Sequence, residues 1–341
     1  MTAKSWSLDP VVATAILDRL RQATRVLIPT HQNVDADGLA SPLAMVHALE
    51  PLGVDAVPMV SDGQLPQNLE FLPGIERVRI YGIDPVPEYD LLMMVDCSDR
   101  RRLGTFHADD PSRVGGAVPI INIDHHVTND RFGVLNIVVP EAASTAEVVA
   151  DLLRFWGCPT TTDIAQCLLA GIYGDTLGLR TEATTSRTMR TAADLVDAGA
   201  NPATITDSLF RLKPLSTVCL WERALRNVAW TGALIWTEIR ESELEECRAK
   251  ASEAEGLVNF LGGTEGSRAA AILHQSDGGW RVSLRSLPTD VDVAVIASEF
   301  GGGGHPRAAG CQIVGGEPEK LAFLRRVAEL IRPSSTETGG A

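Results

Sequence analysis

No apolar run in this sequence approaches the ~18 to 20 residues that a membrane span requires. The opening MTAKSWSLDPVV has neither the basic start nor the apolar core of a secretory signal. A cytoplasmic protein with no membrane partner is therefore expected. Paired thiols are lacking too: Cys97, Cys158, Cys167, Cys219, Cys247 and Cys311 are widely scattered, with no CxxC spacing. That argues against a thiolate zinc site and against a disulfide framework, so each cysteine reads as a small buried residue. Positive charge is scarce. Lys and Arg number 30 against 44 Asp and Glu, a net charge of −14, which disfavours the basic surface that neutralises long duplex nucleic acid. If the substrate is a phosphate anion, bound metal ions are the obvious source of positive charge. Internal repeats are absent, and so are low-complexity tracts outside the last residues.

What is present is ordinary globular material, 341 residues with 45% hydrophobic and 22% charged side chains, enough for two domains. The runs Val26 to His31, Val54 to Ser61, Leu91 to Ser98 and Pro119 to His126 read as buried strands of a parallel sheet. Helical spacing follows over Leu39 to Gly53, over Thr162 to Gly171 and over Ser186 to Gly199, and Ser144 with Glu147 has capping-box spacing. Strand alternating with helix predicts an α/β, doubly wound, mainly parallel sheet over residues 1–212. A helical linker is expected over 213–231. A smaller α+β domain over 232–332 should carry strands Ala233 to Ile239, Ala269 to Gln275 and Trp280 to Ser286, with a hairpin turn at Asp277, Gly278 and Gly279. Residues 333–341 read as a disordered tail.

The acids and histidines fall at strand ends. His31, Asp35 and Asp37 follow the first predicted strand in HQNVDADG; Asp96 closes the third, in MMVDCS; Asp124, His125 and His126 close the fourth, in INIDHH; Asp175 lies in GIYGDT. Ligands of open α/β sheets bind outside the carboxyl ends of the strands. Separate segments therefore deliver carboxylates and imidazoles to one crevice, where they would repel unless cations sat among them. Oxygen and imidazole donors without thiolate favour Mn²⁺, with Mg²⁺ or Co²⁺ as substitutes, and the number of acids calls for two ions. Two ions ~3.5 to 4 Å apart can activate a water and clamp a phosphoryl group, which predicts phosphate-ester hydrolysis. An EF-hand is excluded, since Leu39 holds the next alternate position and the terminal glutamate is missing.

A second segment, FGGGGHPRAAG, spans Phe300 to Gly310. It lacks the GKS or GKT ending of a phosphate loop, and Pro306 stands where a dinucleotide fingerprint needs its third glycine. Gly301, Gly302, Gly303 and Gly304 let the backbone approach a ligand closely, and His305 and Arg307 tilt the segment toward anions. Arg285 and Ser286, ending a strand, could join it. The triplet Arg100, Arg101 and Arg102 reads as a solvated face.

HQNVDADG, the aspartate of VDCSD, INIDHH and GIYGDT resemble the four motifs of the DHH phosphoesterases, and GGGGHPRAAG resembles the substrate-binding signature of their associated C-terminal domain. The chain is similar to the members that degrade very short RNAs and remove the 3′-phosphate of pAp. The resemblance implies His31 and Asp35 on one metal, Asp37, His125 and Asp175 on the other, and Asp96 bridging both. It implies that Asp124 orients a histidine, that His126 meets the scissile phosphate or the leaving oxygen, and that Gly301 to Gly304, His305, Arg285 and Ser286 hold the distal end of the substrate. Short RNA, pAp or cyclic dinucleotides are the implied substrates, and a homodimer is a common assembly of such proteins. Cyclic-di-AMP hydrolysis is the alternative activity, and a nucleotide sensor without turnover the alternative outside enzymology. Val34 stands where motif one commonly has proline, and Leu179, rather than an aromatic, precedes Arg180.

Overall fold

The computed structural model describes residues 6–61, 63–254, 256–276, 278–288 and 290–332; the side chains of residues 252 and 305 fall outside that set. Two compact units divide after Leu212. The first runs α1 (Pro10–Gln22), β1 (Val26–Pro29), α2 (Ala36–Leu49), β2 (Ala56–Val60), β3 (Arg79–Ile80), β4 (Leu91–Val95), β5 (Ile120–Asp124), β6 (Leu135–Val138), α3 (Thr145–Phe155), α4 (Thr162–Thr176) and α5 (Ser186–Asp197). Every strand pair is parallel, and the order across the sheet is β3-β2-β1-β4-β5-β6.

Burial on both faces explains the continuous apolar runs. In β4, Leu91, Met93 and Val95 enter the core beneath α2 and α4, while Leu92 and Met94 enter a second core with Phe106 on the opposite face. Strand order turns between β1 and β4: the chain leaving β1 winds toward β3, and the chain leaving β4 winds toward β6. A crevice opens at such a switch, outside the carboxyl ends. Helix α1, the two-residue β3 and the half-buried β6 are elements beyond those the sequence pattern predicts.

The second unit runs α6 (Leu215–Arg226), β7 (Ala229–Thr231), β8 (Leu234–Ile239), α7 (Glu241–Cys247), α8 (Leu257–Gly262), β9 (Ala269–Ser276), β10 (Gly279–Ser286), α9 (Val293–Ser298), β11 (Gly303–His305), β12 (Ala308–Val314) and α10 (Glu317–Leu330). Its sheet has the order β11-β12-β10-β9-β8-β7 and is antiparallel apart from the β8–β9 pair. The linker helix is shorter than expected, because residues 229–231 already pair with β8.

Two expectations need correction. Cys219 on α6 and Cys247 at the end of α7 are disulfide-bonded, whereas Cys97, Cys158, Cys167 and Cys311 are free. Two helices bring together cysteines 28 residues apart, which spacing alone does not reveal. The glycine run is not an open loop either. Gly303 and Gly304 pair with Gly310 and Ala309 of β12, and a Cβ on Gly302 would lie 2.1 Å from the Gly310 carbonyl oxygen. Asp277 and the tail 333–341 lie outside the described residues.

Candidate metal centre

The segment after β1 is shaped by two close approaches. Asp35 caps α2, its carboxylate accepting the Gly38 N–H at 2.9 Å. Gly38 leaves room for the His31 ring, since a Cβ there would sit 2.4 Å from His31 Nε2. Asp37, in the first turn of α2, accepts the backbone N–H groups of Thr145 at 2.6 Å and Ala146 at 3.0 Å, at the start of α3, and the Ser41 hydroxyl at 2.7 Å. A buried carboxylate is at home there, where orphan N–H groups and the helix dipole favour negative charge. Helix α4 reaches this spot through its glycines: a Cβ on Gly171 would lie 2.5 Å from Asp37 Oδ1, and one on Gly174 would lie 2.7 Å from the Ala36 Cβ. Asp175 follows on the same helix.

Asp96, one residue past β4, is buried with φ +61°, an uncommon conformation that asparagine and aspartate tolerate best. Its Oδ1 accepts the Thr145 hydroxyl at 2.8 Å. Around it stand His31 Nε2 at 3.4 Å, His125 Nε2 at 3.7 Å and His126 Nδ1 at 3.6 Å. His31 Nε2 also lies 3.6 Å from Asp35, and His125 Nε2 lies 3.1 Å from Asp175. Three overlapping groups of described residues could each hold a metal ion: His31, Asp35 and Asp96; Asp37, His125 and Asp175; and Asp96, His125 and His126.

The tautomers bear on the fit. His31 Nδ1 is 2.9 Å from the Gln32 carbonyl, and His125 Nδ1 is 3.3 Å from the Ala142 carbonyl. A carbonyl only accepts, so each Nδ1 carries a proton, which leaves each Nε2, facing carboxylates, to take either a second proton or a metal ion. His31 Nε2 is buried without a hydrogen-bond partner. A lone pair facing two carboxylates is repulsive unless a cation lies between them, and oxygen with imidazole nitrogen suits a divalent ion.

Until a metal ion binds, protons supply that positive charge. Burial opposes charge on His31, yet Asp35 and Asp96 outweigh it and raise its pKa to about 10. His125 is likewise raised, burial being overcome by Asp175 first and then Asp96 and Asp37. Burial lifts Asp37 well above the usual carboxylate range, with Asp96 and Asp175 adding repulsion. It lifts Asp175 to about 6 despite His125. Asp96 moves down: burial opposes ionisation, but the surrounding His31, His125 and His126 prevail. The crevice holds carboxylates as anions only where positive charge is supplied.

His126 is held differently. Its Nδ1 lies 2.7 Å from Asp124 Oδ1, which also accepts the His125 N–H at 2.8 Å, while Asp124 Oδ2 accepts from Asn129 at 2.6 Å. Asn129 in turn donates to Asn122 Oδ1 at 2.7 Å. Asp124 thus stands behind the histidines, fully buried. Thr145, Asn122 and Asn129 were missed in the sequence, where nothing marks them except the helix-start pattern at Ser144. That cap is real: Ser144 accepts the Glu147 N–H at 3.1 Å, although Glu147 returns to the Ala143 N–H rather than its own cap.

In the second unit, Arg285 Nε donates to Asn259 Oδ1 at 3.0 Å. Ser286 is buried and its hydroxyl donates to the Val291 carbonyl at 2.8 Å. The N–H groups of Gly301 and Gly302 donate to Ser298 and Ala297 at the end of α9, so they are not open to an anion as the sequence reading supposed. The His305 side chain lies outside the described residues. Arg180 has its aromatic neighbour after all, lying 5.9 Å from the Phe210 ring centre.

Residues 25–172 match the DHH family, N-terminal domain, and residues 243–332 match the DHHA1 domain. A Thermus thermophilus protein named bifunctional oligoribonuclease and PAP phosphatase NrnA is 35% identical over 322 residues, covering 92% of this chain and 91% of that protein. The chain belongs to the DHH family. A cyclic-di-AMP phosphodiesterase PdeA of Listeria monocytogenes is 25% identical over 323 residues, covering 89% of this chain and 47% of that protein. In fold, this DHH protein resembles an exopolyphosphatase-related protein of Bacteroides fragilis, with a TM-score of 0.88 at 21% identity over 96% of this chain and 98% of that one. The match to the DHH N-terminal domain takes in His31, Asp35, Asp37, Asp96, Asp124, His125 and His126, and stops at residue 172, just short of Asp175. Among the described residues no helix is long and apolar enough to cross a membrane.

Proposed function

We propose that this chain is a cytoplasmic, Mn²⁺-dependent phosphoesterase that hydrolyses very short oligoribonucleotides and the 3′-phosphate of pAp. The observation that carries the reading is the convergence of His31, Asp35, Asp37, Asp96, His125 and Asp175 at the switch point of the sheet, with a buried, unpartnered His31 Nε2 among carboxylates. The relative from Thermus thermophilus, named for both activities, supports the choice of substrate. When bound, two divalent ions supply a water of lowered pKa and neutralise phosphoryl oxygens; Mn²⁺ is preferred, with Mg²⁺ or Co²⁺ as substitutes.

The residues then divide the work. His31 and Asp35 would hold one ion and Asp37, His125 and Asp175 the other, with Asp96 available to both. Asp124 keeps the His126 ring aimed at the scissile phosphate, where it steadies the phosphoryl or leaving oxygen. In the second unit, β11 (Gly303, Gly304 and His305) with Arg285 binds substrate; Gly301 and Gly302 shape the turn that leads into it, and Ser286 serves there by fixing the loop before α9. A homodimer is the assembly we expect, readable by sedimentation.

A turnover panel in Mn²⁺ tests the reading: pAp, di- to penta-ribonucleotides and cyclic dinucleotides at equal concentration. Hydrolysis of pAp and the dinucleotide should lead. Asp96→Ala should lower it by at least about 1,000-fold, the rate equivalent of the several kcal/mol that metal ions supply. Faster turnover of the cyclic dinucleotide would favour the activity named for the Listeria relative. Tight binding with no hydrolysis in any divalent metal would leave a nucleotide sensor.

A further inference from the structure

The triplet Arg100, Arg101 and Arg102 lies in a short 3₁₀ turn after β4, and its three side chains go different ways. Arg100 Nη2 donates to the Phe132 carbonyl at 3.0 Å. Arg101, 85% exposed, pairs with Asp99, its Nε donating at 3.0 Å. Arg102 turns inward, is half-buried, and places Nη1 3.4 Å from His126 Nε2. Its carbonyl accepts the Gln32 N–H at 2.5 Å, and the Gln32 carbonyl accepts from His31 Nδ1. The backbone of Arg102 is thereby fixed to the His31 segment while its guanidinium borders the DHH histidines.

Among the described residues, no carboxylate lies within ion-pair distance of Arg102, whereas Arg25, Arg77, Arg113 and Arg187 each have one. A guanidinium offers five N–H donors in a planar fork that matches phosphate oxygens, and among the described residues its one hydrogen-bond contact is a histidine nitrogen. A half-buried cation of this kind, beside a centre built for phosphate chemistry, has the geometry of an anion clamp.

We propose that Arg102 is a further catalytic residue, donating hydrogen bonds to non-bridging oxygens of the scissile phosphate next to His126. The proposal rests on the phosphoesterase reading above and names one more side chain of the same site. During hydrolysis, water adds to phosphorus, the ester P–O bond breaks and a proton from water ends on the leaving oxygen. Arg102 keeps all its protons and stabilises the charge that gathers on the equatorial oxygens.

The test compares wild type, Arg102→Ala and Arg102→Lys on pAp and pApA in Mn²⁺, with metal binding followed by electron paramagnetic resonance and folding by thermal melting. Arg102→Ala should lose about 100- to 1,000-fold in kcat, as for removal of one transition-state donor. Its Mn²⁺ affinity should match wild type, added guanidinium chloride should restore part of the rate, and Arg102→Lys should fall between. Should Arg102→Ala fail to fold, Arg102→Lys carries the comparison alone. Turnover close to wild type in Arg102→Ala overturns the proposal, and so does loss of Mn²⁺ binding in step with turnover. Absence of hydrolysis by wild type would instead remove the phosphoesterase reading, and the proposal with it.

Discussion

Replacing Gly38 by alanine should separate metal binding from folding. The added Cβ would lie 2.4 Å from His31 Nε2, 2.9 Å from Cδ2 and 3.2 Å from Cε1. Ordinary contact begins near ~3.5 Å, so the ring must retreat by about 1 Å. It has little freedom to do so quietly: His31 is 1% exposed, and its Nδ1 is tied to the Gln32 carbonyl. Metal–nitrogen distances tolerate only about 0.2 Å, and disturbing the surroundings of a ligand costs about 10- to 100-fold in metal affinity. Helix α2 itself gains from the change, since alanine exceeds glycine in a helix by about 0.5 to 1 kcal/mol. Gly38→Ala should therefore melt within a few degrees of wild type without metal, yet bind Mn²⁺ at least about tenfold more weakly. Titration by electron paramagnetic resonance, with melting curves in chelator, reads both. A variant that binds Mn²⁺ as wild type does would show that the His31 ring position is not what the centre depends on.

Thr145→Val removes the hydroxyl that donates to Asp96 Oδ1 while leaving the backbone N–H groups on Asp37. It should lower turnover by about 10- to 100-fold, and Thr145→Ser should recover it; undiminished kcat in Thr145→Val would remove Thr145 from the centre. For pH, the raised groups act in one direction. Asp175, with a folded pKa of about 6, contributes stability that is lost as pH rises from the ordinary carboxyl range through 6. His31, raised to about 10, contributes stability that is full below its unfolded value and is lost as pH climbs toward 10. Metal-free protein should thus melt progressively lower from pH 5 to pH 9, while Mn²⁺, displacing those protons, should bind more tightly over the same range. A metal-free melting temperature that rises across that interval would contradict the charge arrangement.

What the sequence disclosed of this centre was confined to single segments. Leu91 to Val95 is apolar throughout because both faces of the sheet are covered, and such a run announces a strand whose carboxyl end is easily located; Asp96 follows it directly. The two-residue β3 and the half-buried β6 carry no comparable periodicity, so the strand order that creates the switch point was not legible. Contacts between segments were still less so. Thr145 lies 49 residues from Asp96 and 108 from Asp37, and only the packing of α3 against α2 and β5 brings its first turn to both. Arg102 shows the same gap from the other side. In the linear chain it is indistinguishable from Arg100 and Arg101, and the 3₁₀ turn begun by Asp99 is what rotates one member of the triplet inward. Residue type thus identified the groups that need a cation, since unpaired acids and imidazoles are costly wherever they are buried. The groups that orient them are ordinary residues whose roles exist only after the chain has closed around the crevice.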